Sequence, residues 1–170
     1  IKNLPIVIFV ILLSFSNLSF SQVENPYAGF EPLDLKNHKE YSKNFNAGNF
    51  STKIFYNCLT DVIDAARKQY AYLEPLKHDI AFESTAQMKA DYQALKNEKT
   101  DIYLAPYKTL NFRLKKYGLS HRGVELVTKG KAYIGIQDFS YYDACMELIR
   151  PILKNQKQAV ILLDPQYTYV

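Results

Sequence analysis

STKIFYNCLTDVIDAARKQY, Ser51 to Tyr70, is the stretch whose reading decides the fold. Ile54, Phe55, Cys58, Leu59, Val62, Ile63, Ala66 and Tyr70 recur in it at spacings of one, three and four. That period puts every apolar side chain on one broad face of a helix, with Ser51 or Thr52 as its N-cap. Downstream, Asp79 to Lys96 reads as a second helix whose inner side is marked less cleanly by Phe82, Ala86 and Ala90. Lys99 to Lys108 is a loop containing Pro106, and Thr109 to Tyr117 is a short helix stopped by Gly118, the residue a left-handed C-cap favours. Tyr141 to Lys154 is the last helix, with Tyr142, Cys145, Ile149, Ile152 and Leu153 inward. Pro151 must kink or restart it, because its ring displaces the carbonyl four residues back. Val124 to Val127 reads as a strand closed by a Lys129-Gly130 turn, and Tyr167 to Val170 as the start of another. Helices dominate, with a minor sheet formed late in the chain.

Upstream of Ser51 the character changes. Gln22 to Asn49 carries Asn25, Gly29, Asn37, Asn44, Asn46 and Gly48 with Pro26 and Pro32, the composition of an extended leader over residues 22–50 with little core of its own. Before it, Lys2 precedes an apolar run from Leu4 to Leu13, then small and polar residues ending Ser19-Phe20-Ser21. Small residues at −3 and −1 suit a signal peptidase, so residues 1–21 read as a signal peptide cleaved before Gln22. The apolar run is about half of the roughly 20 residues a membrane-spanning helix requires. The expected mature protein is secreted or periplasmic and does not span a membrane.

Composition bounds the chemistry. The 170 residues are 48% hydrophobic and 22% charged, ordinary for one folded domain, and 21 Lys and Arg against 17 Asp and Glu give a net charge of +4. That excess is too small to argue for nucleic acid, which an exported protein would not meet. Two Cys and three His exclude a zinc ribbon or a disulfide-dense scaffold. There is no G-x-S-x-G and no P-loop, and no cofactor is implied.

Four segments in order resemble the CAP superfamily (cysteine-rich secretory proteins, antigen 5 and pathogenesis-related 1 proteins), in particular its bacterial SCP-like branch. Val62-Ile63-Asp64-Ala65-Ala66-Arg67 with Pro75-Leu76-Lys77-His78-Asp79 is similar to the family's I-N-x-x-R helix and x-L-x-W-D. Ser84 to Ala90 is similar to its A-x-x-H-A helix, and Asn111 to Gly118 with Gly123-Val124-Glu125-Leu126 to its F-x-x-R-x-x-x-x-G and G-E-N-I. Ile161-Leu162-Leu163-Asp164-Pro165-Gln166-Tyr167-Thr168 is similar to N-I-L-N-P-x-Y-T. The resemblance implies an α+β fold over residues 51–170: an α-β-α sandwich with a small antiparallel sheet. It also implies further C-terminal strand beyond Val170, so that the domain is incomplete here. The family's two-His, two-acid cleft is degenerate in this chain. Only Glu125 survives, and the counterparts of the remaining groups fall near Met88 to Lys108, at Ile152 and Asn155, and at Gln158-Ala159. One ligand of four does not make a metal site.

The candidate site residues are therefore few. Glu125 either holds the cleft loop by hydrogen bonds or, with His121 four residues earlier, forms an acid–base pair; the structural role is preferred. Lys108 to Lys131 carries seven cations, among them Arg113, Lys115, Lys116, Arg122 and Lys129, against the single carboxylate of Glu125. Such a patch suits an acidic glycan or a lipid headgroup, or is merely solvated. Cys58 and Cys145 lie on the inner stripes of the first and last helices. They are either bridged, as an oxidising compartment permits, or buried free thiols acting as small hydrophobes; the latter is preferred. The sequence thus points to an exported, non-catalytic module that binds a ligand or surface component. A hydrolase using the remnant Glu/His cleft, or a structural domain of a larger protein, are the alternatives.

Overall fold

The computed structural model describes residues 25–46, 48–96, 109–118, 123–126, 128 and 139–169. Among them are six helices: α1 (Leu33–Lys36), α2 (Thr52–Ala71), α3 (Ile80–Lys96), α4 (Leu110–Lys116), α5 (Tyr141–Lys154) and α6 (Gln156–Leu162). The long amphipathic stretch is α2, opened by the Ser51 side chain accepting from the Ile54 N–H. It closes at Tyr72 in the left-handed conformation (φ 55°), where Tyr72 N–H bonds to the Lys68 carbonyl and Leu73 N–H to that of Arg67.

α2 packs along α5, and this pair holds the core. Cys58, Val62 and Ala66 from α2 meet Tyr142, Cys145, Met146, Ile149, Ile152 and Leu153 from α5, all buried. α6 folds back against α5, and α3 pairs with α4. α5 begins with a capping box: Ser140 Oγ accepts from Asp143 N–H, and Asp143 Oδ2 accepts from Ser140 N–H. It then runs through Pro151 to Lys154, and the chain turns at Asn155 rather than at the proline. Asn155 ends α5 with its own N–H on the Pro151 and Ile152 carbonyls, and starts α6 with its side chain accepting from Lys157 N–H and Gln158 N–H.

The residues read as an extended leader contribute more than their Asn and Gly breaks suggest. Phe30 and Tyr41 belong to the core, with Tyr27 and Leu35 packed against it. The same segment satisfies the first turn of α5, whose initial N–H groups have no partner within the helix. Tyr141 N–H donates to Lys43 O at 3.3 Å and Tyr142 N–H to Tyr41 O at 2.9 Å. Residues 1–24, including the whole signal-peptide segment, lie outside the described residues.

The expected α-β-α sandwich with an antiparallel sheet is overturned: the described residues hold helices and no sheet. Their only strand-like pairings are two isolated bridges, Asn44 with Ser140 (antiparallel) and Lys77 with Tyr169 (parallel). Val124 to Leu126, read as strand, is irregular chain; Val127 lies outside the described residues. Tyr167 to Tyr169 makes the single bridge to Lys77 and no ladder, and α6 takes up Val160 to Leu162, whose apolar run carries no period of its own. A short apolar run fits a buried strand and a buried helix equally, and what decides is whether a neighbouring strand exists to take its backbone groups. Here Asn155 supplies a helix cap instead, and Glu125 ties its segment down through the side chain.

Candidate functional site

A cavity of about 510 Å³ lies between the α2–α5–α6 unit and the α3–α4 pair. Leu59 and Ile63 from α2, Phe82 and Ala86 from α3, and Leu110 from α4 supply apolar wall. Leu148, Ile149 and Ile152 from α5 and Ile161 from α6 close the far side. Irregular chain completes it: Leu76 and His78 after α2, residues 123–126 after α4, and residues 166–169 after α6. The apolar residues arrive there because α2 carries too wide a stripe for α5 alone to cover, so that Leu59 and Ile63, packed at the edge of the core, also line the cavity.

Glu125 sits in this wall at the centre of a charged triad. Its Oε2 accepts from Lys89 Nζ of α3 at 2.7 Å, and its Oε1 accepts from Arg113 Nη2 of α4. The side chains of Lys89 and Arg113 are 11% and 2% exposed, that of Glu125 24%. Burying two cations is costly unless a carboxylate meets them in good geometry, so the triad pins residues 123–126 against both helices. Gly123 reinforces the contact: a Cβ there would come within 3.2 Å of Leu110 and 3.3 Å of Leu114 and Phe82. Glu125 thus holds the cavity wall through side-chain cations, with both oxygens engaged.

Arg67 forms a second polar anchor at the opposite side. Almost fully buried, it donates from Nη1 to Leu162 O at 2.8 Å and Asp164 O at 3.3 Å, and from Nη2 to Tyr167 O at 2.8 Å. Burial pushes its guanidinium below the usual value, with Asp64 and Asp164 opposing. Asp64, one turn earlier, accepts from Leu76 N–H at 2.9 Å; burial raises its pKa, an effect the Leu76 hydrogen bond opposes. His78 Nδ1 lies 3.1 Å from Glu83 Oε1 at the cavity rim.

The cationic residues anticipated as one anion patch are divided. Arg113 is buried on Glu125, while Lys115 and Lys116 are exposed at the end of α4, with Lys116 Nζ 5.9 Å from the Tyr117 ring centroid. His121, Arg122 and Lys129 lie outside the described residues. Cys58 and Cys145 are both free and buried. Cys145 Sγ lies 3.7 Å from the Phe55 carbonyl, and its contact with Cys58, then burial, pushes its thiol far up. Among the described residues no group of three His, Cys, Asp or Glu is placed to hold a metal ion. No helix among them is long and apolar enough to cross a membrane.

Two residues that matter, Lys89 and Arg67, were quoted in the sequence only as parts of the segments similar to A-x-x-H-A and I-N-x-x-R, and not as site residues. Each carried a signal: Lys89 shares the buried side of α3 with Thr85, whereas Ala86 and Ala90, read as inward, are exposed, and Arg67 sits between Ile63 and Tyr70 on the apolar stripe of α2. A cation on an inward face must find an acceptor there. Comparison with protein-family models, with curated proteins and with solved structures found no match to this chain.

Proposed function

We propose that the protein is an exported, non-catalytic binding module whose interhelical cavity takes the apolar part of a lipid. The cavity carries this reading. Its volume of about 510 Å³ falls within the range of small-molecule sites, and its surface is mostly apolar, supplied by residues such as Leu59, Ile63 and Ile149, with Thr60, Thr85 and Glu125 among the polar side chains that share it. Of the two ligand classes a basic exported module suits, a lipid matches such walls; an acidic glycan, polar all round, would leave its hydroxyls unpaired against Leu59, Ile63 and Phe82.

The test is titration with dodecanol, a neutral probe with a single alkyl chain, followed by displacement of an environment-sensitive fluorophore and by thermal shift. Saturable binding near one equivalent is expected. Ala86→Trp, which places a large ring in the cavity, should abolish it while far-ultraviolet circular dichroism keeps the helical signal. No saturable binding by the wild-type protein, or equal binding by the filled variant, overturns the reading.

A further inference from the structure

Resting on the cavity as a lipid site, we infer that Lys89 and Arg113 form the seat of a ligand head group, and that the ligand is an alkyl-chain monocarboxylate whose carboxylate takes the place of Glu125. The seat is built by two helices. Lys89 projects from α3 and Arg113 from α4, both are buried, and they converge on the two oxygens of Glu125, which alone of the three lines the cavity and stands between it and the two cations. An ammonium and a guanidinium so placed recognise a carboxylate through charge-assisted hydrogen bonds, the guanidinium with fixed directionality.

Lys89, whose ammonium is held by Glu125, cannot be left in such surroundings without an anion, so the place of that carboxylate must be filled whether or not ligand is present. Glu125 occupies it in this structure. Yet Glu125 is carried by irregular chain, not by a helix, and its side chain is the most exposed of the three. It can turn toward water and be rehydrated, which Lys89 and Arg113 cannot. The carboxylate supplied by the chain therefore holds the wall closed against α3 and α4 in the empty protein, and an incoming carboxylate with an apolar tail replaces it while the tail fills the cavity. Glu125 is in this sense an intramolecular competitor, and removing its charge strengthens binding of anionic ligands in particular.

The experiment compares dodecanoate with dodecanol, which share a chain and differ in the head, by competition titration below their aggregation limits at neutral pH. The quantity read is the ratio of the two affinities. Glu125→Gln is expected to raise the ratio in favour of dodecanoate by about tenfold or more, since close charge pairs couple by at least that much. Lys89→Met, with Glu125 retained, should lower the ratio, which keeps the inference testable if Glu125→Gln does not fold. A ratio unmoved in whichever of these variants fold overturns the head-group seat while leaving the cavity reading in place, provided dodecanol still binds. If neither probe binds the wild-type protein, both readings fall.

Discussion

Replacing Arg67 by Met keeps the apolar stem in α2 and deletes the guanidinium that ties the end of α6 and the following turn to it. Three carbonyls lose their donor: Leu162 and Tyr167 at 2.8 Å and Asp164 at 3.3 Å. A hydrogen bond to a charged group contributes about 1.5–3 kcal/mol, so the two short contacts together represent roughly 3–6 kcal/mol. Against this stands the desolvation of a buried cation whose Nε has no partner, and the ability of the half-exposed Asp164 and Tyr167 to regain water. The balance is a net loss of about 3 kcal/mol, or a fall in Tm of roughly 6–12 °C for a chain of this size. Urea unfolding followed by circular dichroism measures it, with the slope expected to stay constant. Hydrogen exchange adds a local readout. Lys77 N–H, which donates to Thr168 O at 2.9 Å just beyond the anchored turn, should exchange faster in the variant. Arg67→Lys should recover little, because one ammonium cannot span carbonyls on two sides of the turn. A loss below about 1 kcal/mol in Arg67→Met would refute the view that this side chain fastens the C-terminal segment to α2.

Other consequences follow from individual positions. Ser140→Ala removes half of the capping box on α5 and should cost about 1 kcal/mol in the same urea assay. The Asp64 carboxyl is raised by burial, so the folded state holds its proton to higher pH than the unfolded chain. Its contribution is present below the unfolded pKa and lost as pH rises through the folded one. Asp64→Asn keeps an oxygen for Leu76 N–H, and should therefore raise Tm at neutral pH with no gain in acid, as thermal melts across pH would show. Cys58 and Cys145 should resist iodoacetamide in the folded protein and alkylate together in denaturant without prior reduction. Two thiols that appear only after a reductant would show that they are bridged. Protein recovered from its natural compartment should begin at Gln22 by mass spectrometry, and an intact Lys2 would remove the basis for export.

What was legible in the sequence followed periodicity. α2, α3, α4 and α5 lie within a residue or so of where their apolar patterns place them, α2 with the Ser51 cap that the sequence named, and the structure adds side-chain caps at Thr109 and Ser140. What was illegible were short segments whose state depends on distant partners. Val124-Glu125-Leu126 has the composition of a strand, but it is held by side-chain contacts of Glu125 to Lys89 and Arg113 on the two preceding helices. Val160 to Leu162 belongs to α6 because Asn155 caps its start and Arg67, nearly a hundred residues earlier, takes the carbonyl at its end. Tyr41 and Phe30 were hidden among turn-forming residues, since nothing local shows that residues 41 and 43 will satisfy the first turn of α5.

The same dependence explains the site. A charged side chain on an inward helical face is a local inconsistency, and such inconsistencies persist where something non-local compensates them. Lys89 and Arg67 are two of these. In one case the compensation is a set of backbone carbonyls, helped by the charges of Asp64 and Asp164, which makes Arg67 a fastening. In the other it is a single carboxylate on irregular chain beside an apolar cavity, and a carboxylate can be exchanged for another of the same chemistry. The two buried cations thus differ in what can replace their partner, and on the proposal above that difference separates Arg67, which holds the fold, from Lys89, which would hold a ligand.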